Sequence, residues 1–211
     1  MLLMFDWDGT LIDSSEKIIA SMQRAAETSG LSRLSDTQVK SIIGLGLPEA
    51  IHNLYPEVEL ASREKFREHY AKHYLEADQI PCEFFPGVME TLEYFKSEGH
   101  ELVVATGKAR RGLNRILTNM RLLDFFHSSR CSDETQSKPH PQMLQELLRE
   151  FSRQPHEAIM VGDTTFDMEM ALRADVPRIA VSYGVHAVDE LKKFDPKAVI
   201  HYFEELKQHV L

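Results

Sequence analysis

The sequence predicts an α/β fold: a doubly wound parallel sheet with a small all-helical segment inserted after the first strand. Three observations predict it. Short apolar runs at residues 2–5, 102–105 and 158–161 each end directly on polar residues. Helical patterns alternate with these runs, as strands joined by crossover helices require. Residues 14–80 break that rhythm and offer helices with no convincing strand.

Taken in order, residues 2–5 run into Asp6, residues 102–105 into Thr106-Gly107-Lys108, and residues 158–161 into Gly162-Asp163. Runs of this length and composition read as strands buried on both faces. Residues 179–181 and 198–200 add a fourth and a fifth. Val88, Leu92 and Phe95 repeat at helical spacing before Gly99. Leu113, Ile116, Leu117 and Met120 do so after Thr106, and Met143, Leu144, Leu147, Leu148 and Phe151 after Pro141.

Within the inserted segment, Asp13 with Glu16 and Ser35 with Gln38 have capping-box spacing. Ile18, Met22 and Ala25 form one stripe, and Phe66, Tyr70 and His73 another. Gly44 and Gly46 flank a turn, with Pro48 suited to the next helix's first turn. A return linker is expected over residues 81–87. The division is therefore a core of residues 1–13 and 82–211, with a helical module of residues 14–81.

Composition narrows the classes. The chain has 211 residues, 43% hydrophobic and 27% charged, with a formal net charge of −9. That balance argues against a nucleic-acid surface, which needs clustered Lys and Arg. It does not exclude a small phosphorylated ligand, because one divalent ion reverses the local sign. Cys82 and Cys131 lack CxxC spacing and read as reduced thiols, and the ten histidines show no zinc-ligand spacing. The N-terminal apolar run is too short for a signal peptide, and no stretch approaches a membrane span. The expectation is a soluble, cytoplasmic monomer.

All three polar clusters fall where ligands bind in such sheets, beyond the carboxyl ends of the strands. Asp6 and Asp8, at i and i+2, point the same way if the strand continues, and Gly9 then permits a sharp turn. One carboxylate can attack phosphorus while the other moves a proton to the leaving oxygen and from water. Asp163 and Asp167 lie on one face if a helix starts there, and hard oxygen ligands suit magnesium. Thr106 and Gly107 offer a hydroxyl and backbone N–H groups at a strand-to-helix junction, a phosphate cradle. Lys138 can offset the crowded carboxylates.

Asp6-Trp7-Asp8-Gly9-Thr10-Leu11, Thr106, Lys138-Pro139 and Gly162-Asp163 followed by Asp167 resemble, in order, the four signature motifs of the haloacid dehalogenase superfamily. The likeness spans essentially the whole chain. The helical insertion resembles that superfamily's first type of cap over a Rossmann-like core. Thr106-Gly107-Lys108 and Ser137-Lys138-Pro139-His140-Pro141 are similar to the phosphoglycolate-phosphatase-like branch. The resemblance implies a magnesium-dependent phosphatase with Asp6 as nucleophile and metal ligand. Asp8 is then the general acid/base, its carbonyl also on the metal. Thr106 and the Gly107 N–H bind the phosphoryl group, and Lys138 stabilises it. Asp163 holds magnesium, with Asp167 a ligand or a supporting partner. Asp8 argues against a true dehalogenase.

The implied substrate is a small phosphorylated metabolite, selected by the helical module. Residues 44–49, with Gly44 and Glu49, are the candidate loop reaching into the site. Lys108 and Arg110 are further candidate substrate contacts, with Arg111 beside them, and His140 reads as structural. A sugar phosphomutase uses the same aspartyl-phosphate and is the alternative within this chemistry. A phosphoaspartate receiver is disfavoured by the order of its acidic residues, and a silent binding protein by the presence of every expected polar group.

Overall fold

The computed structural model describes residues 1–78 and 82–210. Its centre is a parallel sheet of β1 (Leu2–Phe5), β2 (Glu101–Thr106), β3 (Ser128–Cys131), β4 (Ala158–Gly162), β5 (Arg178–Val181) and β6 (Ala198–Ile200). Their spatial order is β3-β2-β1-β4-β5-β6. The chain winds outward from β1 to β3 and then returns to start β4 on the other side of β1. The strand order therefore reverses between β1 and β4, the point at which a doubly wound sheet opens a crevice.

Pleat alternation divides each strand between two faces. Leu3, Phe5, Leu102, Val104, Ile159 and Val161 share one buried cluster with helices α5 (Val88–Ser97) and α6 (Arg110–Asn119). Leu2, Met4, Val103, Ala105, Ala158 and Met160 share the other with α7 (Gln142–Glu150) and α8 (Thr165–Arg173). Burial on both faces is why these strands read as unbroken apolar runs. The strand the sequence did not reveal is β3: Ser-Ser-Arg-Cys is polar and lies at the sheet edge, buried fully only at Cys131.

Between β1 and α5 come α1 (Ser15–Ser29), α2 (Asp36–Lys40), α3 (Leu47–Leu54) and α4 (Leu60–Ala77). Ile18, Met22, Ala25, Val39, Ile51 and Phe66 belong to a third cluster that shares no member with the two sheet clusters. Tyr70 packs against that cluster, while His73 is buried and paired with the Thr28 hydroxyl. The outgoing and returning connections run side by side, Asp13 N–H donating to the Glu83 carbonyl and Phe85 N–H to that of Leu11. The expected start of the return linker, Pro81, lies outside the described residues.

The Ser35–Gln38 capping box forms as expected. The Asp13–Glu16 box does not: Asp13 is exposed, and Ser14 is the residue at the helix N-cap. Ser14 makes no cap hydrogen bond: its backbone, at φ −119° and ψ 0°, is not in the extended conformation typical of a capping residue, and its hydroxyl donates to Asp8 at 2.6 Å. Pro48 does sit in the first turn of α3. Both cysteines are free thiols. Among the described residues, no helix is long and apolar enough to cross a membrane.

Candidate active site

Asp6 follows β1 directly, and its N–H donates to the Val161 carbonyl at 3.0 Å, so the ladder continues one residue past the strand. Alternation then sends Trp7 into the core, edge-on to Phe84 and Phe126, while Asp6 and Asp8 turn toward the crevice. Gly9 has φ of +88°, and a Cβ there would strike the Asp163 carboxylate. Backbone freedom and close approach thus both demand glycine.

β4 delivers Asp163 on the opposite side of the switch point. Thr10 Oγ1 donates to its Oδ1 at 2.9 Å and Val185 N–H to its Oδ2 at 2.8 Å. A Cβ at Gly184 would also strike Asp163, so the backbone closes around this carboxylate. Asp167 lies in the first turn of α8. Its Oδ2 accepts from the Thr164 N–H and hydroxyl at 3.0 and 2.7 Å, while Thr164 caps the helix in return. Lys138 reaches between the sides, its ammonium 2.5 Å from Asp6 Oδ1 and 2.6 Å from Asp167 Oδ1.

One atom is left over. Asp6 Oδ2 is buried and without a hydrogen-bond partner among the described residues. An unpartnered charged oxygen in this position is costly unless something else meets it. Asp6, Asp163 and Asp167 each offer a ligand oxygen, all within 4.8 Å of one another.

The electrostatics point the same way. Burial pushes the Asp6 carboxyl well above its usual range, against the pull of Lys138. Burial, reinforced by the Asp167 charge, raises Asp163 to about 7. Lys138 keeps its proton firmly, since the two carboxylates outweigh the cost of its burial. Four buried carboxylates (Asp6, Asp8, Asp163, Asp167) face two lysines (Lys108, Lys138), leaving a deficit of two positive charges when all are ionised. Oxygen donors, an open carboxylate oxygen and that deficit fit a divalent cation.

Thr106 ends β2, and its Oγ1 accepts from the Lys108 N–H at 3.1 Å. The Lys108 ammonium pairs with Asp8 Oδ1 at 2.9 Å, the oxygen that Ser14 also meets, and lies over the Tyr74 ring. Gly107 touches the helical segment: a Cβ there would collide with the carbonyl oxygens of Gly44 and Leu45. A cavity of about 280 Å³ opens at this junction, lined by Asp6, Asp8, Gly44, Gly107 and Lys108.

Two expected contacts fall elsewhere. Arg110 does not line the cavity; Glu134 holds its guanidinium in a two-pronged pair, and Ser129 and Asn114 accept from its other N–H groups. The arginines at the cavity are Arg111 and Arg115, one turn apart on the next face of α6. Glu49 is exposed and folds back beside Gly46, outside the lining. His140 serves the backbone, its Nδ1 accepting from Gln142 N–H. Sequence reasoning missed Ser14 and Tyr74, and gave Ser137 no contact of its own. Ser137 Oγ accepts from the Gly46 N–H at 2.7 Å, tying residues 44–46 to the Lys138 loop.

The family model described as haloacid dehalogenase-like hydrolase matches residues 3–181. The chain is 30% identical to a phosphoglycolate phosphatase of Aquifex aeolicus, over 87% of this chain and 85% of that protein. It is 29% identical to the pyrophosphatase PpaX of Halalkalibacterium halodurans, over 97% and 94%. The crystal structure of a predicted phosphoglycolate phosphatase from Haemophilus somnus superposes with a TM-score of 0.89, at 24% identity, covering 99% of this chain and 96% of that one.

Proposed function

This chain belongs to the haloacid dehalogenase-like hydrolase family, and from that premise we propose that it is a magnesium-dependent phosphatase of small phosphate monoesters, phosphoglycolate-phosphatase-like in architecture. The observation that carries this reading is Asp6: a buried carboxylate that lines the cavity, with Oδ1 fixed by Lys138 and Oδ2 without a hydrogen-bond partner among the described residues.

An Asp6 carboxylate oxygen attacks phosphorus, the ester P–O bond breaks, and the leaving oxygen takes a proton from Asp8. Water then attacks the aspartyl-phosphate at phosphorus and gives its proton to Asp8. The bond to Asp6 breaks, releasing inorganic phosphate and restoring the Asp6 carboxylate and the protonated Asp8 carboxyl. Lys138 neutralises charge on Asp6 and on the phosphoryl oxygens. Ser14 and Lys108 orient Asp8 through its Oδ1. The Thr106 hydroxyl and the Gly107 N–H receive the phosphoryl group, and the helical segment of residues 14–81 acts as a cap that excludes water.

Asp6, Asp163 and the Asp8 carbonyl would hold the magnesium ion. Asp167, with one oxygen on Lys138 and the other on Thr164, is the positioning residue of the set. When bound, the ion offsets the excess carboxylate charge and that of the phosphoryl oxygens. The test is phosphate release from an aryl phosphate with magnesium, with EDTA, and from the Asp6→Asn variant. Activity that survives both EDTA and the Asp6 change overturns the mechanism.

A further inference from the structure

Beyond the catalytic end, the walls of the cavity come from α1, residues 42–47, α4 and α6. Ile18, Met22, Ile42, Leu47, Leu75 and Ile116 are among its apolar residues, and Tyr70 and Tyr74 add the phenol hydroxyls. Among the described residues the lining contains no Ser, Thr, Asn, Gln or His side chain, and no carboxylate besides Asp6 and Asp8. Its cations are mostly committed: Lys108 to Asp8, and Arg115 to Asp78 at 3.0 Å. Arg111 lines the cavity and is exposed. The Tyr74 hydroxyl accepts from Lys108 at 3.3 Å. Leu75 is 46% exposed although it lines the cavity, an apolar surface that a ligand rather than the protein's own core would cover.

Such walls suit one kind of leaving group. Each hydroxyl of a sugar left without a partner here lowers affinity roughly 5- to 150-fold. A carboxylate next to the phosphate finds its nearest lysine already held by Asp8. Each methylene placed against the walls instead strengthens binding about fourfold. We propose that the substrate is a phosphate monoester of a predominantly apolar alcohol or phenol, its alkyl or aryl leaving group packed between α1, α4 and α6. This rests on the phosphatase reading for the end of the cavity at Asp6 and adds to it the chemistry of the group released.

The experiment measures binding apart from turnover. Ethyl-, butyl- and hexylphosphonate, which cannot be hydrolysed, are titrated calorimetrically into the full chain with magnesium, beside 2-hydroxyethylphosphonate and phosphonoacetate. Affinity rises about fourfold per methylene until the cavity fills, and butylphosphonate outbinds both polar probes. Leu75→Gln, at a side chain already half in solvent, weakens hexylphosphonate severalfold with the melting temperature unchanged. A flat or falling series, or tighter binding of either polar probe, overturns the assignment. Phosphate release from the matching esters is scored separately. A rising phosphonate series with no ester hydrolysed supports the pocket and overturns the phosphatase reading; hydrolysis with a flat series does the reverse.

Discussion

Replacing Lys138 with methionine keeps much of the side-chain volume and removes one charge from a site that is otherwise acidic. The ammonium is fully buried and meets Asp6 at 2.5 Å and Asp167 at 2.6 Å. Its loss leaves those two buried carboxylates without their shared counter-charge. Breaking a buried ion pair from one side costs about 3–5 kcal/mol. For a chain of this length that lowers the melting temperature by roughly 6–20 °C. Thermal unfolding followed by circular dichroism at neutral pH, without divalent ions, reads the change directly. Asp167→Asn tests the cause, because neutralising one stranded carboxylate relieves the strain that Lys138→Met creates. The double variant is therefore less destabilised than the sum of the singles, by about 1 kcal/mol or more. A melting temperature within about 2 °C of the parent, or additivity within about 0.5 kcal/mol, refutes the placement of Lys138 as the counter-charge of this site.

Other expectations follow from the same geometry. Gly9→Ala forces a left-handed conformation on a residue with a Cβ that also strikes Asp163; denaturant titration shows a loss of at least about 1–2 kcal/mol, and phosphate release falls with it. Magnesium at about a hundredfold above its dissociation constant raises the melting temperature by roughly 5–10 °C; the rise is absent in Asp163→Asn, and identical melting in EDTA and magnesium contradicts the metal assignment. His186 Nδ1 accepts from the Thr165 N–H at the start of α8, and burial holds the imidazole below its usual pKa. A lowered folded pKa means that its stability contribution is complete above the unfolded value and is lost as pH falls through the folded one. Between pH 7.5 and 5.5 the parent therefore loses more stability than His186→Asn, whose carbonyl keeps the acceptor; parallel pH profiles contradict this.

Much of the site was legible because chemistry and strand ends coincide. Asp6, Thr106 and Asp163 each terminate a run buried on both faces, and the switch between β1 and β4 brings Asp6 and Asp163 together. β3 was hidden because an edge strand needs no apolar run, and Ser128 and Ser129 have none. Arg110 was misplaced for want of helix phase: Arg111 and Arg115 share a face toward the cavity, whereas Arg110 lies about 100° around and meets Glu134. Ser14 carried no signal of its own, the capping spacing having pointed to Asp13 and Glu16, yet its hydroxyl serves Asp8 across a turn whose path only the folded backbone sets. The cavity's apolar character was likewise dispersed over α1, α4 and α6, with no local pattern to mark it.

The claim that Asp6 attacks phosphorus is tested most directly in the Asp8→Asn variant with an aryl phosphate. That leaving group departs without protonation, while hydrolysis of the aspartyl-phosphate still needs Asp8 as base. Rapid mixing followed by acid quench and peptide mass analysis then reads both halves. The account predicts a burst of one aryl alcohol per enzyme and one phosphoryl group on the peptide carrying Asp6, both absent in the Asp6→Asn variant. Steady turnover without a burst, or a phosphoryl group on any other residue, contradicts it.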